Sequence, residues 1–214
     1  MALQERGASR PSGLRSGGFS GGSICYAAPH KGVRKGTGME KELSAYASAF
    51  LLMKPRTNAW EVARTLGEQA WIRWVSPTYG PYPIVAYAQA KSHDELVQRI
   101  EELRADTNVV ELDARMCKHI PGDEDLEPLV VSSPEVAVLL INVDLTREKE
   151  RIVAYNLRKM AAVQLARAMW GPTDIIAVVE EDEHESMRDL ICDHVKTMNG
   201  VASNMTLYCY PRRK

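Results

Sequence analysis

The sequence is short of several things, and each shortage excludes a class of protein. Its four cysteines, Cys25, Cys117, Cys192 and Cys209, are scattered over 214 residues. They make a poor disulfide framework, and reduced thiols in a cytoplasmic protein are the simpler account. No apolar run approaches the roughly 18–20 residues of a membrane-crossing helix, and the start lacks the charged-then-apolar layout of a signal peptide. The Gly-rich residues 17–22 lack both the Gly-Lys-Ser/Thr ending and the preceding strand of a phosphate loop. There is no Gly-x-Ser-x-Gly elbow, and no Cys–His or Ser–His–Asp set assembles. No catalytic residue and no cofactor is assigned on these grounds.

Metal ligation fares little better. Cys117-Lys-His119 and Cys192-Asp-His194 share the pattern Cys-x-His. The second falls in a helical stretch, where positions two apart point about 200° away from each other, and paired zinc spacings are missing. The acidic run Glu180–Glu185 contains His184 and opens a helix, where carboxylates complement the positive end of the helix dipole. No metal is therefore expected.

What the chain does hold is 45% apolar residues, ample for a core, and a net charge of −1 that averages two unlike parts. Of the 27 basic side chains six lie in residues 1–38, and of the 28 acidic ones only Glu5 does, so the rest carries 21 and 27. An acidic body argues against direct nucleic-acid binding. Residues 1–38 are Gly- and Ser-rich without period 2 or 3.6 and are expected to be a disordered basic tail; Met39 is a candidate start.

The remainder repeats itself. Ala49-Phe-Leu-Leu-Met53 matches Ala137-Val-Leu-Leu-Ile141 at an offset of 88. Tyr79-Gly80-Pro-Tyr-Pro83-Ile-Val-Ala86 matches Trp170-Gly171-Pro-Thr173-Asp174-Ile-Ile-Ala177 at 91, and Asn108-Val109-Val110 matches Asn199-Gly200-Val201 at 91. The shift is ascribed to a three-residue insertion in the first helix of the second copy. Each copy reads as an apolar strand, a helix, two strands around a Gly-Pro breaker, a second helix and a last strand. In the second copy Ile152, Tyr155, Leu157 and Met160 mark the first helix. Ser92 and Glu95 form a capping box ahead of Leu96, Ile100 and Leu103.

The expected fold is α+β: two tandem ferredoxin-like βαββαβ modules, at 39–119 and 135–214, joined by the acidic linker 120–134. Each sheet would cover the other's free face, as a pseudo-dimer resembling a dimeric α+β barrel. The hairpin aromatics Trp71, Trp74, Tyr79, Tyr82 and Trp170 are expected at a pocket wall or interface more than in the core.

Gly171-Pro-Thr-Asp174-Ile-Ile-Ala-Val-Val179 and Asn199-Gly200-Val201 resemble the effector-binding (RAM) domain of the leucine-responsive/AsnC regulators, and the resemblance covers about 150 residues. The family's helix-turn-helix has no counterpart in residues 1–46, and Pro83 stands where the second copy has Asp174. The resemblance implies a cytoplasmic, homo-oligomeric regulatory protein that binds an amino acid or similar small effector. It would act through a regulatory protein partner in place of DNA or membrane. It also implies ligand-binding residues Trp170, Gly171, Thr173 and Asp174, with Tyr79 and Gly80 as their counterparts. The plain alternative for the hairpin residues is turn geometry, with Asp174 capping the turn. The alternative for the whole chain is an α+β barrel enzyme, monooxygenase, haem-linked or decarboxylase-like, with its site between the sheets.

Overall fold

An apolar run without alternation, such as Ala49–Met53, belongs to a strand covered on both faces. The computed structural model, which describes residues 46–118 and 129–211, shows what covers each. The elements are β1 (Ala47–Pro55), α1 (Ala59–Gly67), β2 (Ile72–Pro77), β3 (Ile84–Ala90), α2 (His93–Arg104) and β4 (Val109–Met116). The second module repeats them as β5 (Glu135–Val143), α3 (Glu150–Arg158), β6 (Val163–Ala168), β7 (Ile175–Glu181), α4 (His184–Asp189) and β8 (Val201–Tyr208). A π-helical stretch, Leu190–Val195, extends α4. The expected tail 1–38, Met39, His119 and residues 120–128 lie outside the described residues.

The strands form two antiparallel sheets, β2-β3-β1-β4 and β6-β7-β5-β8. In β1, Ala49, Leu51 and Met53 face the helices, while Phe50 and Leu52 face the other sheet. In β5 the same split puts Ala137, Leu139 and Ile141 under the helices and Val136, Val138 and Leu140 inward. The shared inner core adds Trp74, Val85, Leu165, Ile176 and Leu207, all 8% exposed or less. Burying an aliphatic or aromatic side chain of this kind stabilises by about 1.5–3 kcal/mol. The fold is thus the expected α+β pair of ferredoxin-like modules, face to face. Trp74, expected at a pocket or interface, is instead part of this core.

The sheets also join at both edges. Tyr79 N donates to Tyr208 O (2.8 Å) and Tyr210 N to Pro77 O (3.0 Å), tying the end of β2 to the end of β8. At the equivalent seam Trp170 N donates to Met116 O and Lys118 N to Ala168 O, both 2.8 Å. The pairings Thr78 with Cys209 and Cys117 with Met169 complete a barrel-like closure, which covers edges that would otherwise recruit other strands.

Several details differ from the sequence reading. The three extra residues lie not in a helix but in the turn Asp144–Lys149 before α3, where Asp144 Oδ1 accepts from Thr146 N (3.0 Å) and Oγ1 (2.6 Å). The buried face of α3 is consequently Val153, Ala154 and Leu157, equivalent to Val62, Ala63 and Leu66 of α1, while Ile152 and Tyr155 are exposed. In the second helices Leu96 matches Met187 and Ile100 matches Ile191, but Leu103 matches Val195, one residue further on. The π-helical turn absorbs that residue. Val109 and Val201 therefore occupy the same register, so Asn108 corresponds to Gly200 and not to Asn199. The capping box closes one residue early: Ser92 Oγ accepts from Glu95 N, but the Glu95 carboxylate takes Lys91 N, both 3.2 Å. Finally, Leu129 and Val131 are buried in the inner core, so the last part of the expected 120–134 linker is structural.

Candidate functional site: an arginine at the barrel mouth

Strand alternation decides which side chains of β4 can meet the inner face. Leu112, Ala114 and Met116 pack under the helices, which turns Asp113, Arg115 and Cys117 toward the other sheet. Arg115 is 5% exposed. Its Nε and Nη2 both donate to one oxygen of Asp113, Oδ2, at 3.0 and 2.8 Å. Nη1 donates to the hydroxyl of Thr173, and Nη2 lies 3.5 Å from the Tyr82 hydroxyl. The guanidinium also stands 6.0 Å from the centre of the Tyr82 ring. One buried cation thus gathers the tip of the β2–β3 hairpin, through Tyr82, and the tip of the β6–β7 hairpin, through Thr173.

The other module lacks this arrangement. Arg115 corresponds to Leu207, fully buried, and Asp113 to Met205. A Cβ placed on Gly80 would approach Leu207 Cδ2 to 3.1 Å, so the opposite hairpin tip closes over leucine. At the equivalent position of the second module the fold accommodates an apolar side chain.

A second polar spot lies within the inner core. Burial pushes the Tyr87 phenol above its ordinary pKa and the Cys117 thiol adds to this, while the Arg167 charge and hydrogen bonding from Ser48 and Arg167 work against it. Tyr87 packs against Phe50 with ring centres 5.1 Å apart.

The residues proposed from sequence fall as follows. Gly80 and Gly171 have φ of 125° and 129°, a region that only glycine adopts freely. Asp174 Oδ2 accepts from Val143 N at 2.8 Å, so its carboxylate holds the bulged end of β5. Thr173 is buried against Arg115. Tyr79 and Trp170 are exposed on the seams: Tyr79 stacks on Tyr210 at 3.8 Å, and Lys118 Nζ lies 4.8 Å above the Trp170 ring while pairing with Glu150 at 2.9 Å. The structure therefore joins Thr173 to a site the sequence reading did not contain, and gives Asp174 and the two aromatics structural partners. Arg115 and Asp113 were missed. The signal was present: in the aligned copies they stand opposite Leu207 and Met205, a charged pair on the inward phase of a strand.

The other candidates are engaged locally. Glu180 Oε2 accepts from Ser132 N (2.6 Å) and Ser133 N (2.8 Å), so the acidic run secures the approach to β5. His184 is exposed in the first turn of α4. Among the described residues no helix is long and apolar enough to cross a membrane.

No protein-family model matches the chain, and no curated protein matches it. Solved structures do. The siroheme decarboxylase NirDL matches with TM-score 0.53 and 11% identity, over 80% of this chain and 74% of its own. A putative chlorite dismutase matches with TM-score 0.50 and 6% identity, over 78% of this chain and 95% of its own. These likenesses carry the fold, and the proteins they name are enzymes, which overturns the expectation of an amino-acid-responsive regulator.

Proposed function

We propose that the chain is a small-molecule enzyme of the α+β barrel type, acting on an organic anion held at the barrel mouth by Arg115. One observation carries this reading: a buried guanidinium where both hairpin tips converge, present in one module and replaced by leucine in its copy.

Decarboxylation of an acid that carries a second carboxylate is the reaction class that suits such a site best, and a siroheme decarboxylase shares the fold. Arg115 would grip a carboxylate that stays, because a guanidinium on the departing one would stabilise the ground state and slow its loss. The Tyr82 and Thr173 hydroxyls flank the guanidinium and fix its orientation.

The siroheme decarboxylase is described in complex with an iron–uroporphyrin III analogue. The residues here do not fit such a group between the sheets. Phe50, Leu52, Trp74, Tyr87, Val138 and Ile176 fill that space at 8% exposure or less, and among the described residues no histidine lies on either inner face.

The test is to incubate the chain with a panel of small organic acids and follow their consumption by mass spectrometry. Arg115→Leu, copying the other module, is expected to remain folded and lose turnover by a hundredfold or more, as expected when a buried charge-assisted contact worth about 3 kcal/mol is removed. Turnover retained in that variant would remove the reading. A homo-oligomer belongs to the same reading and is checked by light scattering on the same samples.

A further inference from the structure

Asp113 is an odd partner for Arg115. A guanidinium fork meets a carboxylate best with two parallel bonds to two oxygens. Here Nε and Nη2 converge on the single atom Oδ2, at 3.0 and 2.8 Å, because Asp113 sits two residues before Arg115 on the same strand face and reaches the fork from the side. The two side chains are also unequally placed: that of Arg115 is 6% exposed and that of Asp113 is 33% exposed. The carboxylate therefore lies on the solvent side of the guanidinium and can rotate outward without disturbing the core. Thr173 and Tyr82 would keep the fork in place when it does.

We infer that Asp113 is a placeholder carboxylate, which occupies the Nε–Nη2 edge of Arg115 in the empty protein and yields it to the terminal carboxylate of a substrate. This rests on the proposed role of Arg115 and adds to it the substrate's chemical class. The ligand presents a compact, unbranched carboxylate on an extended stem, since the space released is that of an aspartate side chain opening to solvent.

The experiment uses the full chain with succinate as probe and succinamide as its neutral counterpart, read by thermal shift and titration calorimetry. Succinate is expected to raise the midpoint and succinamide to leave it unchanged. Asp113→Asn removes the competing charge but keeps the shape, and is expected to bind succinate about tenfold more tightly, equivalent to about 1.4 kcal/mol. Arg115→Leu is expected to abolish binding. Equal or weaker succinate binding by Asp113→Asn overturns the placeholder, as does succinate that stabilises neither protein. If Asp113→Asn binds no tighter while Arg115→Leu still abolishes turnover, the site stands and only the placeholder falls. If Arg115→Leu keeps both binding and turnover, both fall.

Discussion

Two cations at the barrel rim show how surroundings, more than residue type, decide what a charge does. Arg115 is buried with hydroxyls and one sideways carboxylate, an arrangement that leaves its best edge imperfectly used. Lys118, three residues on, has crossed to the seam, where Glu150 holds it at 2.9 Å beneath an exposed indole. Hydrogen bonding from Lys118 is the leading reason that the Glu150 carboxyl lies below its ordinary pKa. A lowered folded pKa means that the pair's stabilisation is complete above the unfolded carboxyl value and is lost as pH falls through the lower, folded one. Urea midpoints followed downward from pH 6 should therefore fall more steeply below about pH 4.5 in the parent than in Glu150→Gln. At neutral pH that variant should be less stable by about 0.5–1 kcal/mol, the modest worth of a part-exposed pair.

At the scale of elements, the hairpins carry more than a turn. Tyr79 and Trp170 give their amides to the opposite sheet, and the tips bring Tyr82 and Thr173 to one guanidinium. The β6–β7 hairpin is additionally tied to β5 by Asp174, whose carboxylate satisfies the amide of the buried Val143 where the β5–β8 register shifts. Asp174→Ala leaves that amide without its acceptor and should cost about 1–3 kcal/mol in denaturant unfolding, whereas Asp174→Asn, which keeps an acceptor, should cost less. Succinate affinity should be nearly the same in all three proteins, because Asp174 faces β5 and Thr173 faces Arg115. A large loss of ligand binding in Asp174→Asn would return Asp174 to the site.

For the whole molecule, the inner core makes the two modules one cooperative unit. Trp74 of the first module and Leu165, Ile176 and Leu207 of the second are buried in the same cluster, and both seams are hydrogen-bonded. Trp74→Ala should therefore lower the free energy of a single unfolding transition by about 3–5 kcal/mol, and fluorescence and far-UV dichroism should still report one coincident transition. Two separated transitions would mean that the modules fold independently.

Much of this architecture was legible in residue order, for a local reason: two copies of one pattern, with apolar runs five residues long, require strands covered on both sides, and a second sheet is the available cover. The same holds for Ser92, whose cap depends on Glu95 three residues away. What the chain order could not show was wherever an offset changed silently or a partner came from the other module. The π-helical turn and the Asp144–Lys149 turn move the repeat by one and three residues, and so misplace Ile152, Tyr155 and Asn199. Arg115 meets Thr173 across 58 positions of sequence, and only closure of the barrel brings them together. Patterning by period depends on a strand's own residues, and so the sequence by itself determined the modules and their faces. A site made where two hairpins converge depends on how the sheets cross, and that was decided by the tertiary structure alone.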